Sequence, residues 1–107
     1  MTVDVRAFLD TPYAEADCRE LARRVLAAHG IALPAAPQEG RAAGWRPVPA
    51  ARPLDVVMFN TPEGLHVGVM VSRGEFIHAD RAAGRAQVER LGAPEWTAQL
   101  EGIYRHG

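Results

Sequence analysis

The stretch Asp17-Cys18-Arg19-Glu20-Leu21-Ala22-Arg23-Arg24-Val25-Leu26-Ala27-Ala28-His29 decides the fold. Cys18, Leu21, Ala22, Val25, Leu26 and His29 recur at the three- and four-residue steps of one helix face, which predicts an amphipathic helix. Asp17 with Glu20 three residues on is a capping-box pattern, in which Asp17 accepts from the backbone near Glu20 and Glu20 reaches back. Cys18 then takes the first helical position. Gly30 suits a left-handed residue just past the end and Pro34 follows, so the helix is expected to close near His29.

Downstream of this helix the periodicity changes to two. Leu54 to Asn60 reads as a strand, Thr61 to Gly64 as a turn, and Leu65 to Ser72 as a strand of strict alternation. Leu65, Val67, Val69 and Val71 share the face expected to pack on Leu21, Val25 and Leu26, while His66, Gly68, Met70 and Ser72 share the other. Glu75 to Ala79 makes a third strand and Ala86 to Leu91 a shorter one. Pro94 to Leu100 reads as a short helical turn, and Gly102 to Arg105 as a closing strand. One helix ahead of a sequential antiparallel sheet is an α+β plan. Between them, Pro34 to Pro53 holds five prolines, Gly40 and Gly44, and reads as a long loop. Trp45 in its middle is either a wall of a binding cleft or a pin that fastens the loop to the core.

The 107 residues suit one domain, spanning 1–107, and 48% apolar with 23% charged residues is the composition of a folded globular chain. All twelve basic residues are Arg and the formal charge is −1. No basic run with interleaved aromatics is present, so nucleic acid is not expected as a partner. No apolar stretch approaches the length needed to span a bilayer, and Met1 to Asp10 lacks a signal-peptide core, so synthesis in the cytoplasm without membrane insertion is expected. A single cysteine excludes an internal disulfide and any C-x-x-C pair.

Cys18 therefore has to be explained alone. A lone cysteine on an apolar helix face is most often a core residue. At a capped N-terminus, however, it sits in the positive end of the helix dipole, which favours the thiolate, the competent nucleophile. Four histidines are candidate bases. His106 is one residue from the terminus and expected to be mobile. His29 lies eleven residues further along the same helix, about 16 Å away at 1.5 Å per residue. His66 and His78 remain, on strands that can form one hairpin. With a three-residue loop Ser72-Arg73-Gly74, Val71 pairs with Glu75, Gly68 stands opposite His78 and leaves the space open, and Gly74 takes the left-handed position of a bulge. His66 is then the diagonal neighbour of His78, near enough for one imidazole to hydrogen-bond the other. A zinc site from Cys18, His66 and His78 lacks a fourth ligand and the usual paired spacing.

Thr11-Pro12-Tyr13, Asp17-Cys18, Gly30-Ile31-Ala32-Leu33-Pro34, Leu54-Asp55-Val56-Val57-Met58-Phe59, His66-Val67-Gly68-Val69 and Phe76-Ile77-His78-Ala79 follow one another in the order seen in NlpC/P60 cysteine peptidases. From about Phe8 to Arg105 the chain resembles that family, and especially the compact versions encoded in bacteriophage tail-assembly regions. The resemblance implies a papain-like α+β core, with the cysteine-bearing helix packed on a small antiparallel sheet. It also implies hydrolysis of peptide bonds in bacterial cell-wall stem peptides, commonly after γ-D-glutamate. By that similarity Cys18 is the nucleophile, His66 the base and His78 the third polar residue, with Tyr13 near the substrate. Where the family has a small residue and then Gly after the cysteine, this chain has Arg19 and Glu20, side chains large enough to narrow the cleft.

The expected chemistry is acyl transfer through Cys18, with the Cys18 N–H as an oxyanion donor and no metal or organic cofactor needed. Tyr13 and Trp45 are the expected substrate contacts, peptidoglycan peptide the substrate, and phage tail-tip proteins the expected partners, which would deliver the chain in the virion tail. The alternative is a structural or assembly component of the tail tip whose site is vestigial or plugged, a reading supported by Arg19 and Glu20. A third possibility is an intracellular amidase or acyltransferase of the same fold.

Overall fold

The computed structural model describes residues 2–37, 40 and 43–107. Helix α1 runs Cys18–Ala27, followed by strands β1 (Trp45–Pro47), β2 (Val56–Thr61), β3 (Gly64–Met70), β4 (Glu75–Asp80) and β5 (Arg85–Arg90), the short helix α2 (Pro94–Thr97) and β6 (Leu100–His106).

The start of α1 is capped by Asp17, whose carboxylate accepts the Glu20 N–H at 2.9 Å. Only half of the expected capping box forms. The Glu20 carboxylate turns instead to Arg23 and Arg24, at 2.8 and 2.7 Å, because two guanidinium groups one turn on outcompete a single backbone N–H. These Arg partners hold the Glu20 carboxyl down to about 2. At the other end, Gly30 at φ +74° lets the Ile31 N–H reach back to the Leu26 carbonyl, the left-handed ending the sequence called for.

The sheet order is β1-β6-β2-β3-β4-β5, with every neighbouring pair antiparallel. The expected sequential sheet holds from β2 to β5, but β6 returns to lie between β1 and β2. β1 lies within the Pro34–Pro53 segment expected as a loop, some of which lies outside the described residues. It is three residues long and ends in Pro47, too short to show a period, and it is extended because it pairs with the far half of β6.

Both faces of this sheet are covered. Leu21, Val25 and Leu26 of α1 pack on Val56, Met58, Val67, Val69, Val71 and Ile77. Each fully buried Leu or Val side chain contributes roughly 1.5–3 kcal/mol. On the opposite face Val57, Phe59, Met70, Phe76 and Ile103 form a second cluster with Trp96 and Leu100 against it. Two covered faces explain why Val56-Val57-Met58-Phe59 is an unbroken apolar run rather than an alternating one. Leu65 departs from its expected place in the first cluster: it is 55% exposed.

Asp55 anchors the start of β2. It is 1% exposed, receives the Arg105 guanidinium through two bonds of 2.8 and 2.7 Å, and accepts the Arg52 N–H at 2.8 Å. With those bonds the buried charge is fully partnered, and β2 is tied to β6.

Candidate functional site

The β3–β4 hairpin sets the geometry of the site. Val69 pairs with Ile77 and Met70 with Phe76, and the Val71 N–H bonds the Glu75 carbonyl. The loop is therefore Ser72-Arg73-Gly74, of odd length, and His66 and His78 share a face. Extending the register one step sets Gly68 opposite His78. His66 Nε2 and His78 Nδ1 are 2.8 Å apart, the diagonal contact expected from the sequence.

Two details of that hairpin differ from expectation. Gly74 is not in the left-handed region. The loop is closed instead by the Ser72 hydroxyl, which accepts the Gly74 and Glu75 N–H groups at 3.3 and 3.1 Å, so no positive φ is needed. Nor does Gly68 leave its space empty. A Cβ there would fall 2.6 Å from Phe76 Cδ2 and 3.2 Å from the Ile77 carbonyl oxygen, so the missing side chain is what admits the Phe76 ring beside His78.

Around the imidazoles lies an aromatic box. Trp96 stacks on His66 with centroids 5.9 Å apart and planes at 23°, and meets His78 edge-on at 4.9 Å. Phe59 and Phe76 complete it, 6.4 Å from His66 and 5.3 Å from His78. His78 is 2% exposed, and its Nε2 lies 3.2 Å from Glu89 Oε2. Burial disfavours the imidazolium form. Burial, and then the neighbouring charge of His78, pull His66 down to about 4. Burial also lowers His78, while its bond to Glu89 works in the opposite direction.

A cavity of about 670 Å³ joins these groups to the helix: Tyr13, Cys18, His66, His78, Trp96 and Gln99 all line it, with Leu65 and Glu63 among the other lining residues. Tyr13 is held there by its N–H bond to the Gly84 carbonyl at 2.8 Å and by the adjacent Pro12–Arg85 bridge. Arg19 and Glu20 do not line the cavity. Arg19 swings away to the Pro34 carbonyl at 2.7 Å, and Glu20 is held by Arg23 and Arg24. The narrowing expected from these two side chains is absent, because each has a partner on the outer side of the helix. Arg23 and Arg24 are ion-paired on that exposed face too.

Trp45 is corrected from cleft wall to core. It is 1% exposed and packed with the helix-side cluster, its ring 5.4 Å from that of His106. His106 is likewise no loose end, since it pairs with Trp45 across β1 and β6. The cleft tryptophan is Trp96, which sequence reading did not single out. Its signal was Pro94 at the start of a one-turn helix, which presents a single large aromatic from an otherwise polar segment. Glu89 was also missed. It sits opposite Phe76 on β5, one step diagonal from His78.

Among the described residues, the group whose donor atoms all lie within 4.8 Å of one another is His78, Asp80 and Glu89, not the zinc trio Cys18, His66 and His78 that the sequence raised. His78 and Glu89 already satisfy one another, and Asp80 Oδ1 accepts the Ala82 and Ala83 N–H groups.

A cysteine at a helix N-terminus that shares a cavity with a strand-borne imidazole pair, on one helix packed against an antiparallel sheet, defines the papain-like α+β class. The chain belongs to the NlpC/P60 family, whose model matches residues 9–105. Among solved structures it is similar to an NlpC/P60 family protein from Bacillus cereus, at 23% identity and a TM-score of 0.73 over 92% of this chain and 36% of that one. It is similar also to NlpC1 from Trichomonas vaginalis, at 21% identity and a TM-score of 0.74 over 95% and 41%. The peptidoglycan hydrolase RipB from Mycobacterium tuberculosis matches at 26% identity and a TM-score of 0.63 over 83% and 44%. This chain thus spans less than half the length of each. No curated protein sequence matches it. No helix among the described residues is long and apolar enough to cross a membrane.

Proposed function

We propose that the chain is a cysteine peptidase that cleaves stem peptides of peptidoglycan. The observation that carries this reading is the shared cavity lined by Cys18 and a hydrogen-bonded His66–His78 pair, in a chain of the NlpC/P60 family. The similarity to a structure described as a peptidoglycan hydrolase supports the substrate class.

His66 uses Nε2 toward His78, which leaves Nδ1 to serve Cys18. Resting neutral, His66 takes the Cys18 proton as Sγ attacks the amide carbonyl carbon. The tetrahedral oxyanion is met by the Cys18 N–H, a first-turn donor without an intrahelical acceptor. His66 returns the proton to the leaving amine as the C–N bond breaks. Water, deprotonated by the same nitrogen, then attacks the thioester and frees Cys18. Tyr13 and Gln99 flank the cavity as substrate contacts. The alternative of a vestigial or plugged site loses the support it drew from Arg19 and Glu20, since neither lines the cavity. Delivery by a bacteriophage tail is the finer reading, supported by the resemblance to compact tail-encoded versions, and detection of the chain in purified tails would test it.

Incubation of purified sacculi with the protein, followed by mass spectrometry of the soluble products, tests the activity. Wild type is expected to release stem-peptide fragments and Cys18→Ala none. Equal release by both, or none by either, would overturn the proposal.

A further inference from the structure

The chain of contacts that begins at His66 does not stop at His78. It continues to Glu89, with Oε2 3.2 Å from His78 Nε2 and His78 Nδ1 2.8 Å from His66 Nε2. Each link requires one donor and one acceptor, and an ionised carboxylate can only accept. The proton between Glu89 and His78 therefore belongs to His78 Nε2. A neutral imidazole with a proton on Nε2 has a bare Nδ1, which in turn must accept from His66 Nε2–H. Neutral His66 is then bare at Nδ1.

We propose that Glu89 is a positioning residue that sets the tautomers of both histidines, so that the His66 lone pair is offered to the nucleophile. The reverse chain shows what it prevents. With the proton on His78 Nδ1 donated to His66 Nε2, the lone pair of His78 Nε2 faces a carboxylate oxygen, and the only proton of His66 sits on Nδ1, where it cannot act as a base. Water does not take over from Glu89, because His78 is 2% exposed and enclosed by Phe76 and Trp96. Asp80 makes no hydrogen bond to the His78 ring, whose Nε2 goes to Glu89; its Oδ1 accepts the Ala82 and Ala83 N–H groups. Strand register supplies the placement: His78 pairs with Gln87 and Phe76 with Glu89, so the carboxylate approaches the ring on the diagonal.

In its kinetic consequence the proposal rests on the peptidase reading, whereas its tautomer consequence does not. Protein labelled with ¹⁵N-histidine, examined near neutral pH by long-range ¹H–¹⁵N correlation, is expected to show His78 protonated at Nε2 and bare at Nδ1. In Glu89→Gln the carboxamide presents either its oxygen or its NH₂ group, so His78 is expected to populate both tautomers. Cleavage by that variant is expected to lose roughly 10- to 100-fold in kcat, part of the 10²–10⁴-fold a general base supplies, with KM within about twofold. Glu89→Asp, which keeps an acceptor-only group, is expected to retain the Nε2–H tautomer. A wild-type His78 protonated at Nδ1, or a Glu89→Gln protein with unchanged tautomer, would overturn the proposal. Wild type that cleaves nothing while its tautomers respond as described would sink the peptidase reading and leave Glu89's role standing.

Discussion

Gly68→Ala tests whether the site depends on a missing side chain. The new Cβ would lie 2.6 Å from Phe76 Cδ2, roughly 1 Å inside the carbon–carbon optimum of about 3.5–4.0 Å. On its other side it would meet the Ile77 carbonyl oxygen at 3.2 Å, and backbone in mid-sheet does not yield cheaply. Relief must therefore come from the Phe76 ring. That ring is fully buried and boxed by Phe59 at 5.1 Å, Trp96 at 5.2 Å and His78 at 5.3 Å. Overpacking a closed core costs about 1–3 kcal/mol, and with both contacts so confined the upper end is expected. At about 4–8 °C per kcal/mol for a domain near this size, Tm should fall by roughly 10–20 °C. Gly74→Ala is the control on the same hairpin: nothing lies within 4 Å of its Cβ position and its φ is not positive. It should be neutral or stabilising by up to about 1 kcal/mol. Urea and thermal melts of the two variants decide the matter. Equal stability of Gly68→Ala and wild type, or a larger loss in Gly74→Ala, would refute the packing argument.

Acid should weaken the fold through the same box. His66 falls to about 4 in the native protein against about 6.5 unfolded, so between those values the unfolded chain binds a proton that the native chain does not. Its contribution is full above about pH 6.5 and is lost as pH drops toward 4, an effect of about 3 kcal/mol. Urea melts at several pH values should show this loss in wild type and a shallower one in His66→Gln; parallel curves would contradict it. Arg19→Ala should leave peptide release within about twofold of wild type, because the guanidinium lies outside the cavity on the Pro34 carbonyl and exposed substitutions of this kind change little. A large gain in rate would show that Arg19 does obstruct the cleft.

Where a single local rule governs a residue, the sequence was enough to read it. The Asp17 cap, the Gly30 ending and the placement of Cys18 at the first helical position all follow from backbone groups that lack intrahelical partners. The His66–His78 contact was legible because side-chain parity and an odd loop admit one answer. What stayed hidden depends on distant partners. β1 is extended only because β6 returns to it, and Trp45 is buried for the same reason. Trp96 and Glu89 reach the imidazoles from elements whose placement on the sheet no local pattern encodes. Gly74 and Arg19 show the opposite error, in which a residue type suggested a conformation or an obstruction that a nearby hydrogen bond makes unnecessary.

The central claim is that His66 activates Cys18, and the alkylation rate of Cys18 by iodoacetamide at pH 6 tests it most directly. Removal of the Cys18 proton by neutral His66 as Sγ attacks should make wild type react faster than a free thiol, which is mostly protonated at that pH. His66→Ala should return the rate to that of the free thiol. A wild-type rate no faster than the free thiol, or one that His66→Ala leaves unchanged, would contradict the account.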